Sequence, residues 1–95
     1  MLTSVPHKAE MSDLFTVICE YDGGTYIVQL RAASPHLAVL SWLDAGVPEA
    51  LSKEKALNIL KDDAPVAVEG CQNVWCCTDT ASKGLVLINV VRTAS

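Results

Sequence analysis

Positive charge is scarce and dispersed in this chain. Seven basic residues (Lys8, Arg31, Lys53, Lys55, Lys61, Lys83 and Arg92) stand against eleven acidic ones, for a net charge of −4 and an isoelectric point near 4.9. Nucleic acids and anionic membranes are held by clustered cations, so neither is an expected partner. Long apolar runs are also missing. No stretch approaches the roughly 18 consecutive apolar residues of a membrane-spanning helix, and residues 1–13 are mixed polar with no apolar run of the signal-peptide kind. Aromatic residues make up only 5% of the chain, so its core must be mainly aliphatic. With histidine limited to His7 and His36, imidazole chemistry has few places to occur. Repeats, low-complexity tracts and linkers long enough to separate two domains are absent.

What is present suits one small folded domain. Of the 95 residues, 51% are hydrophobic and 19% charged, far from the polar, highly charged balance of disordered chains. The length allows a single core without a metal or disulfide. The four cysteines (Cys19, Cys71, Cys76 and Cys77) read as reduced thiols, and cytoplasm is the expected compartment. Residues 1–13 are expected to form a flexible N-terminal segment and residues 14–95 the domain. Met11, directly before Ser12-Asp13 and the first apolar run, reads as an alternative start.

The central stretch is Gly84 to Arg92, in which Leu, Val and Ile fill every interior position except Asn89. β-branched residues favour a pleated surface. One face would carry Leu85, Leu87 and Val91, the other Val86, Ile88 and Val90. A strand apolar on both sides belongs inside a sheet, beside the first strand, with both faces covered.

Two earlier segments alternate. Phe15, Val17, Cys19 and Tyr21 share one face of the run from Leu14 to Tyr21. Tyr26, Val28, Leu30 and Ala32 share one face of the run from Tyr26 to Ala32. Asp22-Gly23 between them is a two-residue hairpin signal. That loop sets Phe15 opposite Leu30, Val17 opposite Val28 and Cys19 opposite Tyr26, while Ile18 and Ile27 meet on the other face.

Ser34 and Pro35 open a helix as N-cap and first residue. Gly46 and Pro48 close it. Glu49 to Asp62 reads as a second, more soluble helix. A short extended run over Pro65 to Glu69 follows, with Gly70 as a bulge before a strand from Cys71 to Thr78. The predicted fold is therefore α+β, with two layers: a four-stranded, mainly antiparallel sheet in the order β-β-α-α-β-β, with the helices on one face.

No catalytic, cofactor-binding or metal-ligating residues emerge. Cys71, Cys76 and Cys77 lack the paired short spacing of zinc sites, and neighbours such as Cys76 and Cys77 point to opposite faces of a strand. A nucleophilic cysteine needs a base. His7 falls in the N-terminal segment, and His36 sits in a first helical turn, where the helix dipole disfavours imidazolium. Asp62-Asp63 and Glu20 near Asp22 are read as solvated charge at a helix end and a turn. Asp22-Gly23-Gly24 lacks the helix and Lys-Ser/Thr of a phosphate loop.

With helices on one side only, the other face of the sheet carries surplus apolar surface, which marks interfaces. The residues expected at a partner or dimer interface are Ile18, Ile27, Trp75, Val86, Ile88 and Val90. The expected function is a small acidic protein-binding module of the inhibitor or immunity type, which occludes its partner. The alternatives are a homodimeric structural or regulatory domain and, third, a cysteine-dependent enzyme.

Overall fold

The computed structural model describes residues 12–51 and 64–95. The first two strands are β1 (Asp13–Tyr21) and β2 (Gly24–Ala32), followed by one helix, α1 (Pro35–Ala45), and a 3-10 turn at Glu49–Leu51. β3 (Val66–Ala67), β4 (Val74–Ala81) and β5 (Gly84–Ala94) follow. The five strands form one antiparallel sheet in the order β2-β1-β5-β4-β3.

The β1–β2 hairpin has the register its alternation requires: Phe15 opposite Leu30, Val17 opposite Val28, Cys19 opposite Tyr26 and Ile18 opposite Ile27. Its two-residue loop places both Asp22 (φ 50°) and Gly23 (φ 81°) in the left-handed region, as a type I′ turn demands. β5 lies between β1 and β4, so its two-sided apolar character is used in the middle of the sheet.

The sheet corrects the expected fold in strand number and in helix content. The run that begins at Pro65 does not continue through a bulge into the next strand. It turns back through Val68 to Asn73, with Gly70 at φ 86° and Asn73 at φ 62°. The Val68 N–H donates to the Val74 carbonyl (3.0 Å) and the Cys71 N–H to the Val68 carbonyl (3.1 Å). The run thus becomes a separate edge strand, Val66 opposite Cys76 and Ala67 opposite Trp75, and the sheet has five strands where four were expected. The described residues contain one α-helix, not two. Of the second expected helix, Glu49–Leu51 is a single 3-10 turn, closed by the Leu51 N–H on the Pro48 carbonyl (2.9 Å), and the remainder lies outside the described residues. The expected N-terminal segment is likewise outside them apart from Ser12 and Asp13, and Asp13 already opens β1.

α1 starts where Ser34 caps it. The Ser34 hydroxyl accepts from the Leu37 N–H at 3.1 Å, and Pro35 occupies the first turn, where its missing N–H costs nothing. At the other end the Gly46 N–H donates to the Trp42 carbonyl (2.7 Å). Gly46 has φ −113°, so it is not the left-handed cap its position suggests. Space explains it instead: a Cβ there would lie 2.9 Å from Trp42 Cδ1.

α1 packs chiefly across β2, with further contacts to β1 and β5. Its Ala38, Val39 and Trp42 join Phe15, Val17 and Cys19 of β1 and Val86, Ile88 and Val90 of β5 in one core, all fully buried. Each buried Val or Ile contributes roughly 1.5–3 kcal/mol relative to exposure. Among the described residues the core is aliphatic except for Phe15, Tyr21, Trp42, Cys19 and Cys77.

Candidate functional site

Strand parity sorts the expected interface residues onto two different surfaces. Val86, Ile88 and Val90 point toward α1 and are fully buried. Trp75, paired with Val90, lies on that same side, half-buried. Its ring meets Phe15 edge-on (centroids 6.1 Å apart, planes at 62°), and the Arg92 guanidinium lies 5.6 Å above it. Arg92 also pairs with Asp13 at 3.5 Å. Trp75 is therefore held in a cluster at one end of the core. Only Ile18 and Ile27 stand on the open side of the sheet.

The open face is built by the remaining parity. One row crosses all five strands: Ile27, Ile18, Asn89, Cys76 and Val66. Beside it run Gln29, Thr16, Val91 and Val74, and on the other side Thr25, Glu20, Leu87 and Thr78. Leu85 lies beyond Leu87 on β5. Ile27 (63%), Val66 (70%) and Leu85 (58%) are strongly exposed. Ile18, Leu87, Val91, Val74 and Cys76 are half-buried by their neighbours. Polar contacts on this face are local: Gln29 Nε2 donates to Thr16 Oγ1 at 3.0 Å, and Thr16 Oγ1 meets Thr93 Oγ1. The only charges in the three rows and at their ends are Glu20 and Arg31. The single described helix lies on the opposite side.

A solvated face on an antiparallel sheet is ordinary and is expected to be polar. This one is mixed: Thr16, Glu20, Thr25, Gln29, Thr78 and Asn89 stand among aliphatic side chains, and its low charge resembles the charge-depleted centre of a protein interface.

The thiols do not converge. Cys19 is buried in the core, and burial, helped by the neighbouring Glu20 carboxylate, pushes its thiol up to about 11. A thiol that holds its proton that tightly is a poor nucleophile at neutral pH. Cys76 and Cys77 take opposite faces, half-buried and buried respectively, and Cys71 is exposed in the β3–β4 turn. Among the described residues no group of three or more His, Cys, Asp or Glu is placed to hold a metal ion, and no helix is long and apolar enough to cross a membrane.

One polar residue escaped the sequence reading. Asp79 is 7% exposed on the covered face, opposite Val86. Its Oδ1 accepts from the Thr80 N–H at 2.7 Å, while Oδ2 has no partner. Asp79 shares parity with Trp75 and Cys77, but the strand was expected to end at Thr78, one residue short of it, and instead runs to Ala81. Nearby, at the same end of the sheet, the Tyr21 hydroxyl accepts from the Lys83 N–H at 2.9 Å, and Lys83 Nζ lies 3.7 Å from Asp22. These contacts tie the two hairpin turns together.

Compared with protein-family models, curated proteins and solved structures, the chain matches none.

Proposed function

We propose that this chain is a small acidic protein-binding module whose contact surface is the open face of the sheet, and that it acts by occluding its partner, as inhibitors and immunity-type proteins do. The observation that supports the reading is the low-charge, partly apolar face centred on the Ile27-to-Val66 row. An open sheet face with exposed Ile27, Val66 and Leu85 suits a protein surface better than a small molecule, which is usually held in a concave pocket. The net charge of −4 favours a partner whose rim is basic, because complementary fields speed encounter. Cytoplasm is the compartment we assign, where the four thiols stay reduced. The reading involves no catalysis and no cofactor.

The experiment is capture from lysate of the source organism by the tagged full chain and by its Leu85→Glu variant, with the native mass of each eluate recorded. The expected result is a stoichiometric complex with the wild-type chain that the variant fails to form. A partner retained equally by both, or none with either, overturns the reading. Self-association is the second reading, and a separate feature of the sheet favours it.

A further inference from the structure

The two edges of the sheet differ. At one edge β3 is two residues long and follows directly on Pro65. A short strand beside a proline is a common way to blunt an edge. At the other edge β2 runs nine residues, Gly24–Ala32, in uninterrupted register with β1. It contains no proline, no lysine and no bulge, and its only charge is Arg31. Among the described residues no strand lies beyond β2, and an edge of this kind presents a row of unpaired backbone donors and acceptors.

Which groups face outward follows from the hairpin. The two-residue loop closes on Tyr21 and Gly24, and hydrogen-bonded pairs then alternate along the ladder. Tyr26, Val28 and Leu30 therefore direct their backbone groups toward β1. Thr25, Ile27, Gln29 and Arg31 direct theirs away from it, and all four residues are exposed.

We propose that β2 pairs antiparallel with β2 of a second copy of this chain, about a two-fold axis through Val28, so that one sheet runs through both molecules. Val28 is the midpoint of the strand, so this register alone pairs its whole length. Thr25 then faces Arg31 of the other copy, and Ile27 faces Gln29, each as a hydrogen-bonded pair. On the covered side Tyr26 faces Leu30 and Val28 faces its own mate. These three are half-buried side chains already packed on the core, and across the axis they join the two cores. A slip of one residue would set outward-facing backbone groups against inward-facing ones. A slip of two in one direction would set Arg31 opposite Gly23 in the turn, and in the other would leave Gly24 and Thr25 opposite Ser34 and Ala33, beyond the strand.

Charge does not oppose the contact locally. Two molecules of net charge −4 repel each other, but β2 carries no carboxylate. In the Val28-centred register Arg31 meets a threonine, never a second arginine. The contact uses the backbone edge of β2, whereas the open face is made of side chains; the two meet at Thr25, Ile27 and Gln29.

The test uses the full chain with Cys71→Ser to remove the exposed thiol. Val28→Cys is added, and the protein is mildly oxidised. Residues facing each other in a non-hydrogen-bonded antiparallel pair have Cα atoms about 4.5 Å apart, within disulfide range. The expected product is a dimer linked through position 28, and a product that stays monomeric overturns the proposal. Native mass of the unmodified chain at tens of micromolar should show two copies; a single-copy mass is contradictory. Ile27→Pro removes an outward N–H without touching the β1 ladder and should yield a folded monomer, whereas Leu85→Glu should leave the dimer intact. A dimer that survives Ile27→Pro and is lost with Leu85→Glu lies on the open face and also overturns the proposal. If Ile27→Pro fails to fold, the cross-link decides.

Discussion

Asn89 fixes which way the central strand faces. It shares parity with Leu85, Leu87 and Val91, and the face that α1 covers carries Val86, Ile88 and Val90, with a polar side chain only at its end, where Arg92 lies over Trp75. Ile88→Ala should therefore destabilise the fold by about 2–5 kcal/mol through lost burial and a residual cavity. Leu87→Ala, one residue away on the open face, should cost less than half as much. Urea denaturation of the two variants measures the difference, and equal losses would mean that the open face is buried. That β5 is central was legible from its composition. Its orientation was not read, because six aliphatic side chains look alike on both faces and a single asparagine carries the distinction. Asp79 is the parallel case on β4: one buried carboxylate among residues of the covered parity.

Cys19 offers a second reading at this scale. Its thiol titrates near 11 in the folded chain against 9.0 as an ordinary thiol. Between those values the unfolded chain releases the proton while the folded chain keeps it, so rising pH favours unfolding. The contribution is whole below pH 9 and is lost as pH climbs through 11. Unfolding free energy measured from pH 8 to 11 should fall more steeply for the wild type than for Cys19→Ala. Parallel curves would show that Cys19 ionises freely in the folded protein.

Among the elements, the β1–β2 hairpin and the start of α1 were the most legible, because each rests on local chemistry with one solution. Asp22-Gly23 admits a type I′ turn and sets the register. Ser34-Pro35 supplies a cap and a first residue. Gly23 sits at φ 81°, where a side chain is strained, so Gly23→Ala should lower stability by about 1 kcal/mol, read as a shift in the urea midpoint. No shift would mean that the turn adopts another type. The β3–β4 connection was not legible. A two-residue strand leaves almost no alternation to detect, and Gly70 fits a bulge as well as a turn. Asn73, a residue type that tolerates positive φ, was the one local sign that the chain reverses there.

At the scale of the whole molecule, the described residues form one sheet with one helix on one side, and this arrangement leaves two surfaces with unmet bonding capacity. Among the described residues the open face lacks apolar cover and the β2 edge lacks a neighbouring strand. The sequence implied a surplus face, since a strand apolar on both sides needs two covering layers and the helices were expected on one. It did not place that face on Leu85, Leu87 and Val91, because strand parity becomes visible only once α1 is seen against Val86, Ile88 and Val90. The binding reading depends on which exposed apolar surface is used, and Leu37 on the outside of α1 (47% exposed) is a natural control for Leu85 on the sheet (58%). The most direct measurement is capture of a lysate partner by Leu85→Glu and Leu37→Glu side by side, both first shown to be folded. Loss of the partner with Leu85→Glu and full retention with Leu37→Glu is the expected result. The reverse pattern would place the binding surface on the helix and contradict the open-face assignment.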